Sequence, residues 1–172
     1  MRAKTPGESH VELVDQMQVT DANLMGNVHG GVIMKMVDNA AGLAAIKHSE
    51  GPVVTAAMDE MSFIEPVYVG DVVTVKATVN EAFTTSMEVG VRVEAENLQT
   101  REAKHTSSAY LVFVAMDADG EPRPVPPLRP ETDEERRRQQ EAKLRREARL
   151  ARKEAIEQAR AGGERAPSSG SP

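Results

Sequence analysis

The chain has no cysteine and no tryptophan, and its aromatic content is only 3%. Without cysteine, disulfides, zinc–thiolate sites and a thiol nucleophile are all excluded. With so few aromatics, methionine, valine and alanine must supply most of the core, and nine methionines are present. No uninterrupted apolar run approaches the roughly 20 residues of a membrane span. The most apolar segment is broken by Lys35, Asp38 and Asn39. The opening residues MRAKTPGESH lack the apolar stretch of a secretory signal. A soluble, cytoplasmic protein with no membrane partner is expected.

The formal net charge of −6 over 172 residues is unevenly spread. Residues 1–130 hold 10 Lys and Arg against 18 Asp and Glu, whereas residues 131–172 hold 11 against 9. General nucleic-acid binding rests on neutralising phosphates, so a body this acidic makes nucleic acid a poor candidate partner. The length fits one domain with an appendage.

What is present is organised around Asn27 to Lys47. After Gly30 and Gly31, apolar residues recur at helical spacing through Val32, Ile33, Met36, Val37, Ala40, Ala41, Ala44 and Ala45. That periodicity predicts a helix buried on most of its circumference. Its second half is nearly all alanine and glycine, so another backbone can approach closely. Asp38 stands in this run, and a buried charge costs several kcal/mol, order of magnitude, unless it is paired.

Around the helix the chain reads as strands. His10–Val19 and Pro52–Val67 are the first two, the second long and bent, and Asp71–Asn80 is the third. In SMEVGVRVEAEN, Met87, Val89, Val91, Val93 and Ala95 alternate with polar residues, as in an antiparallel strand with one dry and one wet face. His105–Met116 is the fifth strand, with an apolar end that suggests a central position. Glu121–Pro130 is Pro-rich and should be extended, either in polyproline or strapped along the surface. Beyond it lies a strongly helix-forming segment, with Thr132 and Glu135 at capping-box spacing and only a thin apolar stripe. The expected division is 8–130 for the folded domain, 131–161 for a charged, solvated helical tail and 162–172 for disorder. One helix cannot cover both faces of five strands, so an α+β unit with the sheet wrapped around that helix is expected. Its sheet edge and outer face would then be left for association with other copies.

Asp38 reads either as a helix-surface aspartate or as a general base or nucleophile in an apolar cleft. Gly30 and Gly31 either pack tightly against a strand or offer free N–H groups at a helix N-terminus to polarise a carbonyl. Asn23 is a turn former, or it orients a water or carbonyl through its amide. His29 beside the glycine pair reads as structural. The four histidines show no close metal-ligand spacing, so no metal site is expected.

The segments NLMGNVHGGVIMKMVDNAAGLAA, TTSMEVGVRVEAEN and PVPPLRPETDEERRR, taken in order, resemble the cytosolic acyl-CoA thioesterases of the hotdog fold. The likeness is to the brain-type acyl-CoA hydrolases and their single-domain bacterial relatives, from about Val11 into the tail helix. It implies a five-stranded antiparallel sheet around one helix, edge-to-edge dimers, and a homo-oligomer that is commonly a trimer of dimers. It also implies hydrolysis of acyl-CoA to free acid and CoA, without a cofactor. Asp38 and Asn23 match the family's catalytic residues and would come from opposite subunits, while the amides of Gly30 and Gly31 would polarise the thioester carbonyl. Ser86 is a candidate for substrate binding. The brain-type enzymes are tandem duplications, whereas this chain holds both residues in one unit. The alternative is a non-catalytic acyl-CoA-binding regulator on the same fold. The phosphates of CoA call for Lys or Arg, and the body offers Lys35, Lys47, Lys76, Arg92, Arg101, Lys104, Arg123 and Arg129.

Overall fold

A computed structural model describes residues 1–163. The elements are α1 (Pro6–Ser9), β1 (Val11–Gln16), a single 3-10 turn (Val19–Asp21), α2 (Gly30–Ser49), β2 (Val53–Phe63), β3 (Val72–Ala82), β4 (Ser86–Glu96), β5 (Ala103–Ala115) and α3 (Asp133–Gly163). The strands form one antiparallel sheet in the order β1-β3-β4-β5-β2, with α2 against its concave face. β4 is the middle strand, and β5 is interior as its apolar end suggests. The charged segment does form a helix and opens with the expected box. Thr132 Oγ1 accepts from Glu135 N–H at 3.1 Å, and the Glu135 carboxylate accepts from Thr132 N–H at 2.9 Å. The expected disorder falls on residues beyond 163, outside the described residues, apart from Gly162 and Gly163, which continue α3. Among the described residues no helix is long and apolar enough to cross a membrane.

Period-two patterning sets the inner face. Val75 pairs with Val93, Val79 with Val89, Val89 with Leu111 and Met87 with Phe113, all fully or almost fully buried. Such directly opposed pairs are the units of sheet stabilisation. Against them α2 lays Ile33, Val37, Ala40, Ala41, Ala44 and Ala45. The alanines let helix and sheet approach closely, and Gly42 lies beside Phe113, the largest fully buried side chain.

The helix is not buried on most of its circumference within one chain. Met34, Leu43 and Ile46 are exposed along its other side, with Asp38 half-buried between the two faces. The sheet curls far enough to cover one face only. Both edge strands are shorter than the patterning suggests. β1 ends at Gln16, and β2 ends at Phe63 before the bend at Ile64–Pro66. β2 carries register shifts at Thr55/Ala57 and Met58/Glu60, and much of its length is exposed.

The Pro-rich stretch is strapped to the body, the second of the two forms expected of it. Val125 N–H bonds Thr84 O at 3.1 Å, Lys4 N–H bonds Pro127 O at 2.9 Å, and Val125 and Leu128 are buried. Buried His48, in the last turn of α2, bonds Pro126 O through Nε2 at 2.8 Å. Burial pushes its pKa down and keeps the ring neutral.

The largest departure from the sequence reading concerns α3. Up to Arg149 it is not a solvated tail; it lies on the outer face of the sheet, and the Glu88 end of the β4 face expected to be wet is covered. Glu88 is 1% exposed. Arg145 meets it with Nη2 2.7 Å from Oε1 and Nε 3.1 Å from Oε2, while its guanidinium stacks over Tyr110 at 3.6 Å. Arg149 pairs with Asp59, which the second register shift of β2 frees from the ladder. Lys143 pairs with Glu81 at 3.2 Å, Arg146 covers Phe83, and Ala142 is fully buried. An apolar stripe was too thin to foretell this contact because charge pairs and cation–π stacking carry it.

Candidate active site

The N-terminus of α2 is built by His29. As N-cap it accepts the Gly31 N–H on Nδ1 at 2.9 Å, which leaves the other ring nitrogen to carry the proton. The Gly31 amide is therefore already committed, contrary to the expectation of two free donors. Gly30 N–H has no acceptor among the described residues. A Cβ on Gly30 would stand 3.5 Å from the Phe63 ring, across a cleft of about 260 Å³ that Gly30 shares with Asn23, Ile33 and Phe63.

Asn23 enters that cleft from the loop before α2. Its Oδ1 accepts from Met25 N–H at 2.8 Å and Asn27 N–H at 3.3 Å, so it does form a turn. Those two bonds hold the side chain by its oxygen and leave the amide NH2 without a partner among the described residues. One residue thus acts as both turn former and fixed donor.

Asp38 lies elsewhere. Two turns into α2, it opens onto a separate, shallow cleft of about 450 Å³ with Leu43, Val53, Thr55 and Phe113. Thr55, on β2, donates its hydroxyl to Asp38 Oδ1 at 3.0 Å. Nothing in the run VVTAAMDE marks this threonine as special. Its role follows only from the β2–β5 register, which places Thr55 opposite Phe113 and hence on the helix-facing side. The bond fixes the carboxylate rotamer and leaves Oδ2 without a partner among the described residues.

Within one chain the two clefts share no lining residue. Asn23 and Gly30 come together in one cleft, whereas neither Gly31 nor Asp38 lines it. Ser86 joins neither group. It pairs with Val114 and, by alternation from inward Met87, belongs to the outer face that α3 crosses.

The structure also sorts the cations. Lys76 and Arg92 are bound to Glu94, Arg101 to Glu96 and Arg129 to Glu131. Lys47 and Arg123 are held by backbone carbonyls. Of the eight named from sequence, Lys35 and Lys104 have neither a carboxylate nor a carbonyl partner among the described residues. Lys35 stands one turn before Asp38 on the open side of α2.

Comparison with known proteins places this arrangement in a family. Residues 25–102 match the thioesterase superfamily. The cytosolic acyl coenzyme A thioester hydrolase of Mus musculus is 35% identical over 81% of this chain, and the chain spans 37% of that relative's length. A hexameric acyl-CoA thioesterase of known structure superposes with a TM-score of 0.86 at 36% identity, covering 88% of this chain and 97% of the other. The acyl-CoA hydrolase of Staphylococcus aureus, solved with butyryl-CoA, CoA and CoA disulfide, superposes at 0.85 with 32% identity, covering 95% and 99%. The same hydrolase has been solved with an aspartate, an asparagine or a threonine replaced by alanine. Likeness to these structures at 32% and 36% identity over most of each chain leads to one conclusion: this chain belongs to the acyl-CoA thioester hydrolases of the hotdog thioesterase superfamily.

Proposed function

We propose that this protein hydrolyses acyl-CoA thioesters to the free acid and CoA at sites shared between two copies of the chain. The carrying observation is the Asp38 carboxylate, oriented by Thr55 on a mostly apolar helix and standing apart from the Asn23–Gly30 cleft. Oδ2 takes a proton from water as that water attacks the thioester carbonyl. The partner subunit's Gly30 N–H, at the positive end of its α2 and in the same cleft as its Asn23, stabilises the developing oxyanion. Asn23 of the partner subunit donates through its amide to the water or the carbonyl oxygen. Collapse of the tetrahedral intermediate breaks the carbon–sulfur bond and releases CoA, which leaves as thiolate or takes the proton held by Asp38. The aspartate, asparagine and threonine replaced in the Staphylococcus aureus hydrolase stand at the sequence spacing of Asp38, Asn23 and Thr55, which supports these assignments.

Assembly follows from the same geometry. Edge-to-edge pairing of β2 with β2 of a second copy would extend the sheet and cover the exposed line of Met34, Leu43 and Ile46. The unit is at least a dimer, and the hexameric relative supports a trimer of dimers. Residues 8–130 hold every catalytic group. The cytosolic designation of the mouse relative supports a cytoplasmic location.

The test is thiol release from acyl-CoA combined with subunit mixing. Asn23→Ala and Asp38→Ala chains are each expected to be inactive. Co-refolded in equal amounts they should recover roughly a quarter of wild-type turnover, because half the dimers are mixed and each mixed dimer holds one intact site. No recovery by a properly assembled mixture would place both residues in one subunit's site. Thr55→Ala, which removes one hydrogen bond to a charged acceptor, is expected to lower kcat about tenfold with little change in KM. A raised KM at unchanged kcat would make Thr55 a binding residue instead.

A further inference from the structure

α3 is longer than the sheet it crosses. Its contacts run from Glu81 on β3, through Glu88 on β4 and Tyr110 on β5, to Asp59 on β2, met in turn by Lys143, Arg145 and Arg149. β2 is the last strand on that side, so none of this chain's sheet lies beneath the helix beyond Arg149. The helix nonetheless continues to Gly163, about 21 Å further at 1.5 Å per residue. Through residue 161 every side chain past Arg149 is exposed.

The docking stripe does not stop with the sheet. Ala142, Arg146 and Arg149 are spaced four and three residues apart along the sheet-facing side. The same alternation continues through Lys153, Ile156 and Arg160. Lys153 stands one turn past Arg149, about 6 Å along the axis, against a strand spacing of about 4.8 Å. A strand added to the β2 edge would therefore run directly under it. On β2 itself, Glu60 pairs with Tyr110, so it points to the face that α3 occupies. It is exposed and has no cationic partner among the described residues.

We propose that residues 150–163 of α3 dock on the outer sheet face of a second copy of this chain, with Lys153 over its β2 and paired to the partner's Glu60. The inference rests on the β2-to-β2 pairing proposed above. The two-fold axis of that pairing sets both α3 helices antiparallel across the joint, so each subunit clamps the other.

The experiment compares dissociation constants of the assembly, by sedimentation, for the full chain, a chain ended after Leu150, and surface charge swaps. The shortened chain keeps Arg145 and Arg149. It should retain its circular dichroism per body residue, with a dissociation constant raised tenfold or more. Glu60→Lys and Lys153→Glu should each weaken assembly, and the double swap should restore it. Because both residues are exposed, the swaps test the contact even where truncation disturbs folding. Unchanged dissociation constants for the shortened chain and the swaps, with the assembly intact, would overturn the clamp and leave edge pairing standing. A full chain that is monomeric at every concentration would overturn the pairing itself, and the clamp with it.

Discussion

Asp38→Asn is expected to fold, assemble and bind acyl-CoA, and to lose about 10³-fold or more in kcat, the upper part of the range for a positioned general base. Asparagine has the same shape, and its carbonyl oxygen can still accept the Thr55 hydroxyl that now holds the carboxylate at 3.0 Å. It cannot take a proton from water. Asp38 is only half-buried, so removing its charge leaves no uncompensated group in the core. Thiol release gives the rate, and sedimentation with circular dichroism shows that assembly and fold are kept. Turnover within tenfold of wild type would remove Asp38 from the chemistry.

Arg145→Ala is expected to cost about 3–5 kcal/mol of folding stability, the usual penalty for stranding one member of a buried ion pair. Glu88 lies at 1% exposure in the middle of the sheet, and both its oxygens are met by this one guanidinium. Its remaining contact, from the Asn80 amide at 3.2 Å, cannot replace a charge. The stacking of the guanidinium on Tyr110 is lost as well. For a chain of this size the midpoint of thermal unfolding should fall by about 10 °C. Arg145→Met combined with Glu88→Leu should recover most of that, since an apolar pair of similar volume removes the stranded charge. A loss below ~1 kcal/mol in Arg145→Ala would mean that water reaches Glu88 and that α3 is loosely held.

These two residues mark the limit of what patterning can reveal. The alternation from Met87 to Glu96 correctly divides β4 into two faces, because side chains on a strand point alternately. It does not say what covers the polar face. Glu88 and Arg145 are 57 residues apart, and a charged helix looks the same in sequence whether it is solvated or docked by ion pairs. Asp38 stood out because a carboxylate among alanines and valines is costly wherever the fold puts it. Thr55, the residue that orients it, is one β-branched residue among several in an edge strand. Only the register on β5, with its two shifts, turns it toward the helix. The glycine pair was legible as a helix start, but the imidazole of His29 decided which of its two amides stays free.

The sequence by itself determined the α+β class, the single central helix with its small-residue face, the inner faces of β3 and β4, and Asp38 as the group needing an explanation. All of these follow from local periodicity and from the cost of a charge among apolar neighbours. Tertiary structure decided how far the sheet curls, and so which side of α2 stays open. It also decided that Asp38 and Asn23 occupy separate clefts, and that α3 is pinned across the outer face by charges. Those outcomes depend on register and on contacts between segments far apart in the chain, which no local pattern encodes.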